Sequence, residues 1–158
     1  MADFNEAAVT TLLASLVSMA RKLGPFKAVM THEPKSPPSS FPALAIWWAG
    51  IRPARSSGLA SVSGVVTFSM RVYQDSMLAE PQNAIDPGLL KNTCLVLKAI
   101  AGGFTLGMGG QVRDVDLLGA EGQALEARSG YITHDNRLLR VAEITVPVVV
   151  NDLWTEAP

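Results

Sequence analysis

The stretch ALAIWWAGIRPARSSGLAS, residues Ala43 to Ser61, changes from an apolar run to a polar, glycine-containing one. Its first part has the composition of a β-strand, and Trp47 and Trp48 stand side by side in it. Successive side chains of a strand leave on opposite faces of the sheet, so the two indoles point in opposite directions. The stretch therefore predicts a sheet with apolar groups on both faces, each of which needs a cover.

The overall composition indicates one globular domain with little charge. The chain has 158 residues, of which 48% are hydrophobic and 17% charged, whereas an average domain has about 25% charged residues. This shortage of charge predicts either a large core or a surface that meets other protein. The net charge of −1 argues against a basic footprint for nucleic acid across the whole sequence.

The sequence predicts a soluble intracellular protein. Cys94 is the single cysteine, so an internal disulfide framework is excluded. The N-terminal segment carries Asp3 and Glu6 where a signal peptide would be basic. No stretch approaches the ~18 unbroken apolar residues of a membrane span.

Periodicity predicts two helices and about six strands. The first helix has Asp3 as its N-cap, with Glu6 three residues later, and ends before Gly24 and Pro25. The second runs from Pro87 to Ala101 with Asp86 as its N-cap, and apolar residues occupy most of its circumference. The expected strands are residues 26–33, 43–51, 62–74, 112–118, 124–132 and 137–150.

This order lacks a strict βαβ alternation and so predicts an α+β fold: one domain, 1–158, with a mainly antiparallel or mixed β-sheet flanked by two helices. Residues 133–136 read as a hairpin turn. Pro147 inside the last strand places that part at a sheet edge or a bulge. Flexible loops are expected at about 34–42, 52–61, 75–86 and 102–111, with a short C-terminal tail at 151–158.

Reactive groups do not converge in the sequence, and we predict no catalytic, cofactor or metal site. His32 and His134 lack metal-ligand spacing. Cys94 shares a helix stripe with leucines and reads as a small buried hydrophobe. The glycine-rich residues 102–111 lack the lysine of a phosphate-binding loop. Asp114 and Asp116, two apart on one strand, fit a solvated face and leave acid–base or cation chemistry as an alternative.

Two further runs carry a resemblance. Arg71-Val72-Tyr73 lies in a long strand, and the closing run LRVAEI spans Leu139 to Ile144. With the order of elements over nearly the whole chain, these resemble the tail terminator (tail completion) proteins of long-tailed, siphovirus-type bacteriophages. That family often has an aromatic residue where this chain has Leu139.

The resemblance implies a homo-oligomeric ring, hexameric in that family, which caps the tail tube, ends tube polymerisation and joins the tail to the head connector. Its partners would be further copies of itself, the tail tube protein and a head-completion or connector protein. Genomic DNA would pass through the lumen without sequence-specific binding. The protein would be made in the bacterial host cytoplasm and reside in the virion at the tail–head junction, with no membrane contact and no cofactor.

Two alternatives remain open at this point. One is another head–tail neck protein, such as a stopper or head-completion protein. The other is a small α+β homo-oligomeric enzyme or ligand-binding protein.

Candidate interface residues follow from side-chain type, because tryptophan and arginine are enriched at interface hot spots. Whichever of the two adjacent tryptophans faces away from the core is the expected anchor. The full set of candidates is Trp47, Trp48, Arg52, Arg55, Arg71, Tyr73 and Trp154.

Overall fold

The computed structural model describes residues 3–55, 60–75, 82–103, 110 and 112–156. Within them, two helices flank a seven-stranded mixed sheet, which confirms the predicted α+β domain. None of the described helices is long and apolar enough to cross a membrane. The elements are β1 (Asp3–Phe4), α1 (Glu6–Arg21), β2 (Ala28–Met30), β3 (Ala43–Pro53), β4 (Ser61–Gln74), α2 (Gln82–Ala101), β5 (Val112–Val115), β6 (Glu126–His134) and β7 (Arg137–Thr155).

The 19-residue strand β7 organises the sheet. Along one side it pairs antiparallel with β4, which in turn pairs antiparallel with β3. Along its other side it pairs in succession with β6, β5 and the short β1. The strand β2 adds to the start of β3 in parallel. Strand direction therefore alternates across β6, β7, β4 and β3.

Both faces of the sheet carry apolar side chains, as the paired tryptophans predict. The two helices cover one face, which we call the helix face, and the core lies there between Leu12 and Leu16 of α1, Val96 and Ile100 of α2, and the inward residues of β3, β4 and β7. The opposite face holds a second cluster of Ala43, Ala45, Tyr73, Leu139 and Val141. Phe41 and the strand residues Met30, Trp47 and Ile132 pack against that cluster.

Both helices begin at other residues than predicted. The N-cap of α1 is Asn5, whose Oδ1 accepts a hydrogen bond from the Ala8 N–H at 3.1 Å. Asp3 pairs in β1 instead, because the chain meets the end of β7 before it turns into the helix. The helix α2 starts at Gln82, so Pro87 lies inside it and Asp86 is not its cap. Residues 82–85 carry no helix-breaking signal, and the helix extends back over them.

Pro147 lies in the central strand, so the prediction of an edge or bulge is wrong. Its carbonyl accepts a hydrogen bond from the Asp116 N–H at 2.9 Å. The N–H and C=O of a strand residue point to the same side, so the missing donor also faces that side. There β6 ends its pairing at Thr145 and β5 begins at Val148. The proline occupies the gap between two partner strands, where the ladder needs no donor.

The prediction of a short tail at 151–158 is also wrong for the described residues, because β7 continues to Thr155 and pairs with both β1 and β4 there.

The predicted hairpin turn is confirmed, since Asp135 and Asn136 have φ of 49° and 60°. The predicted strand 112–118 ends at Val115. In the loop 34–42, which was expected to be flexible, the structure buries two residues, Pro34 and Pro38. Residues 56–59, 76–81, 104–109 and 111 lie outside the described residues.

Candidate assembly interface

The described residues contain no cluster of three or more histidine, cysteine, aspartate or glutamate side chains able to hold a metal ion. Asp116 is buried, and its carboxylate accepts the backbone N–H groups of Gly119, Ala120 and Glu121, each at 2.9 Å. Asp114 is exposed. One carboxylate therefore holds a turn while the other is solvated, and the two do not form a catalytic pair.

Arg71 organises a polar cluster on the face opposite the helices. Its Nε donates to Glu143 at 2.8 Å, its Nη1 donates to the Tyr73 hydroxyl at 3.2 Å, and its Nη2 lies 3.5 Å from Glu33. The guanidinium also lies 5.1 Å from the Trp47 ring centre. Arg71 is 8% exposed and Tyr73 fully buried. Both side chains are thus engaged within one chain.

Burial sets the ionisation of this cluster. It raises the pKa of the Tyr73 hydroxyl above the ordinary 10.0, and the hydrogen bond to Arg71 opposes that rise only in part. Burial by itself lowers the pKa of Arg71, but the hydrogen bonds with Tyr73 and Glu143 outweigh it and the net direction is upward. The arginine stays charged and the tyrosine neutral near neutral pH.

The two tryptophans have different environments. Trp47 is half-buried on the face of the Arg71 cluster. Trp48 pairs with Phe68, which places it on the helix face, yet it is 60% exposed. Trp48 is therefore the tryptophan available to a partner.

Trp48 also lies on an open edge of the sheet. β2 pairs only with Ala43 to Ala45, and in the described part of the chain no other strand or loop backbone bonds the outer edge of β3 from Ile46 to Pro53. Proteins commonly protect such edges with charges or prolines. Here the run 46–51 contains neither, and a charge and a proline follow only at the end of the strand, as Arg52 and Pro53. We call residues 46–53 the β3 edge.

A groove of about 650 Å³ lies between α2 and β6 on the helix face, and we call it the α2/β6 groove. Its apolar wall is formed by Leu90, Cys94 and Leu97, and its floor includes Ala127 and Ser129. Arg140 and Asp86 form an ion pair of 2.8 Å at this groove. Sequence reasoning missed this groove.

The prediction that Cys94 is buried and that α2 is covered over most of its circumference is wrong for the single chain. Cys94 is exposed, and Leu90 is 65% exposed. The sheet covers only the side of α2 that carries Leu89, Val96 and Ile100. The broad apolar surface of α2 was the available signal, but periodicity cannot say whether a helix face is covered by its own chain.

The other candidate residues also contact their own chain, although Arg55 is exposed and does so through its backbone. The Arg52 guanidinium donates to the Glu121 carbonyl, and the Arg55 backbone N–H donates to the Glu121 carboxylate at 2.7 Å. These contacts tie the end of β3 to the turn that Asp116 holds. Trp154 is half-buried in β7, with its ring 5.5 Å from that of Phe4.

No family model matches the sequence, and no curated protein matches it. Several solved structures are similar to the chain, among them the following two. A chain in the virion of a native gene transfer agent (GTA) particle is 14% identical, with 94% of this chain and 96% of that chain covered at a TM-score of 0.45. A chain from an extracellular contractile injection system, described as the PVC sheath/tube terminator in its extended state, is 16% identical at a TM-score of 0.34. That alignment covers 98% of this chain and 61% of the other.

Proposed function

We propose that this protein is a structural subunit of a ring that caps a phage tail tube. The observation that carries the proposal is the presence of two unlike, unfilled surfaces on one chain: the β3 edge with Trp48, and the α2/β6 groove. Unlike surfaces meet head to tail, and such contacts generate a closed ring when the rotation between copies closes. The low charge of the chain fits a protein whose surface is largely shared with neighbours.

The proposed role follows the sequence resemblance to tail terminators. The ring, a hexamer in this proposal, ends polymerisation of the tail tube protein and then binds a head-completion or connector protein in the virion. Genomic DNA passes through its lumen. A near-neutral chain suits that passage, because a strongly cationic lumen would bind phosphates and release condensed counterions. This role is not enzymatic.

The α2/β6 groove also supports a second candidate function, the binding of a small apolar ligand. Its volume of about 650 Å³ falls in the usual range for ligand pockets, roughly 300–1,000 Å³. A ligand-binding protein of this kind needs no ring and no tube. Another neck protein would share the ring and differ from a terminator in its partner.

Native mass and negative-stain imaging of the purified protein test the proposal. The expected result is a ring of uniform copy number that shortens or ends the polymers formed by the tail tube protein. The variant Ala14→Ser on α1 is a suitable control, because Ala14 is exposed and belongs neither to the β3 edge nor to the lining of the groove. A protein that stays monomeric at high concentration and binds neither tube nor connector proteins would contradict the proposal. A ring that binds only the connector would identify another neck protein.

A further inference from the structure

We infer that one joint fills both unlike surfaces: Trp48 of one copy occupies the α2/β6 groove of the next copy, with the β3 edge lying antiparallel beside β6. This inference rests on the proposed ring and names the contact that builds it.

The first support for the inference is strand direction. Strands β6, β7, β4 and β3 alternate in direction, so the two outer strands are antiparallel to each other. Rotation about a ring axis that lies close to the strand direction keeps those directions, and β6 of one copy then meets β3 of its neighbour antiparallel.

The second support is the face on which each group lies. Trp48 shares the helix face with its pairing partner Phe68. Ala127 pairs with Ile144 on that same face and lies in the floor of the groove. A ring rotation carries each face onto itself. When the sheet continues from β6 into the β3 of a neighbour, the indole therefore arrives on the side where the groove is open.

The third support is the level of the two features along the strands. One row across the sheet joins Ala127, Ile144, Met70 and Ile46 through their register partners. Trp48 is two residues beyond Ile46, so it lies about 7 Å along the strand from that row. A stagger of two residues between copies places Trp48 beside Ala127, and strands that are tilted from the ring axis produce such a stagger without opening the ring. β2 stops at Ala45 and leaves the strand free from Ile46 onward.

The physical gain comes from groups that the single chain leaves in water. An indole that is 60% exposed and a leucine that is 65% exposed become buried against each other. Tryptophan in a fitted pocket is the typical interface hot spot. In the described part of the chain β6 pairs with β7 alone, so open N–H and C=O groups of two strand edges gain partners at the same time. Arg140 already forms an ion pair with Asp86 at the groove, so formation of the joint leaves neither of these two charges without a partner.

The native Cys94 provides a direct test, because it lines the groove. In Trp48→Cys, the introduced thiol should lie within reach of Cys94 of the adjacent copy through a short bifunctional thiol cross-linker, which replaces the length of the lost indole. Treatment with this cross-linker is expected to give a ladder of covalent multimers, on a denaturing gel, that ends at the ring copy number. Two matched controls are expected to give no ladder: Trp48→Cys combined with Cys94→Ala, and Ala14→Cys with Cys94 retained.

A measurement on the unmodified protein guards against loss of assembly in the variant. Cys94 should lose most of its reactivity toward a thiol reagent in the assembled protein and regain it on dilution to monomer. Trp48→Ala should keep Cys94 reactive at concentrations where the wild type protects it. A ring with neither cross-linking nor protection overturns the joint and leaves the proposed function standing. Protection of Cys94 that persists in Trp48→Ala shows that another segment fills the groove, which also overturns the joint. A monomer at all concentrations refutes the ring itself.

Discussion

Asp116 shows at the residue scale how a side chain with catalytic potential serves the fold. Its buried carboxylate accepts three N–H groups, and an amide side chain has only one accepting oxygen. We expect Asp116→Asn to lower the free energy of unfolding by about 1–3 kcal/mol, measured by urea denaturation. Asp114→Asn is the matched control on an exposed carboxylate, with an expected change within about 0.5 kcal/mol. Equal effects of the two changes would contradict this assignment.

Tyr73 gives a pH-dependent prediction at the same scale. Burial raises the pKa of its hydroxyl in the folded state, so the folded protein holds that proton more tightly than the unfolded chain does. The resulting stability is complete below the unfolded value near 10.0 and is lost as pH rises through the folded value. We expect the wild type to lose more stability than Tyr73→Phe on going from neutral pH to above that range, measured by urea denaturation at each pH.

At neutral pH we expect the wild type to be the more stable of the two proteins. Tyr73→Phe removes the 3.2 Å hydrogen bond from Arg71 and should be less stable than the wild type by about 1 kcal/mol. The stability gap between the two proteins therefore narrows in alkali. A gap that stays constant with pH would refute the coupling between burial and ionisation at this tyrosine.

The adjacent tryptophans separate folding from assembly. Trp47 packs on the Arg71 cluster, so Trp47→Ala should destabilise the monomer by about 2 kcal/mol, less than a fully buried truncation. Trp48 is largely exposed, and Trp48→Ala should change monomer stability by no more than about 0.5 kcal/mol while weakening the oligomer. Denaturation of dilute protein and native mass measure the two effects. Unfolding by both changes would show that the strand is simply core.

At the scale of elements, the start of α1 distinguishes two readings of the same sequence. Asn5 accepts the Ala8 N–H, whereas Asp3 pairs in β1 with its side chain exposed. Asn5→Ala should lower the free energy of unfolding by about 1 kcal/mol. Asp3→Ala, which removes the cap that the sequence pattern suggests, should have a smaller effect. A larger loss for Asp3→Ala in thermal or urea denaturation would restore the predicted capping box.

The strand β7 makes a similar point about context. Pro147 in a strand normally indicates an edge. Here the proline occupies the gap between β6 and β5, both of which pair with the same side of β7. A sequence rule for one pair of strands cannot foresee that two short strands share one long neighbour.

At the scale of the whole molecule, the single chain covers both faces of its sheet but leaves two other surfaces open. A layer of helices and the segment around Phe41 cover the two sheet faces. The β3 edge and the α2/β6 groove remain open within the described residues. Because only folded chains associate, the apparent stability of the fold should rise with protein concentration by mass action. Denaturation midpoints of the wild type at several concentrations test this, with Trp48→Ala as the variant expected to lose the dependence.

Local sequence patterns were enough to predict the fold class, the long alternating strands, the hairpin at Asp135 and Asn136, and the presence of apolar groups on both faces of β3. Each of these depends on local periodicity or turn chemistry, which neighbouring residues encode. The packing of distant segments was needed to establish that Trp48 is exposed, that Arg71 is buried, and that Leu90 and Cys94 line an open groove. Those outcomes depend on which distant segments cover a given face, and the same apolar pattern serves a core within one chain or a contact between two.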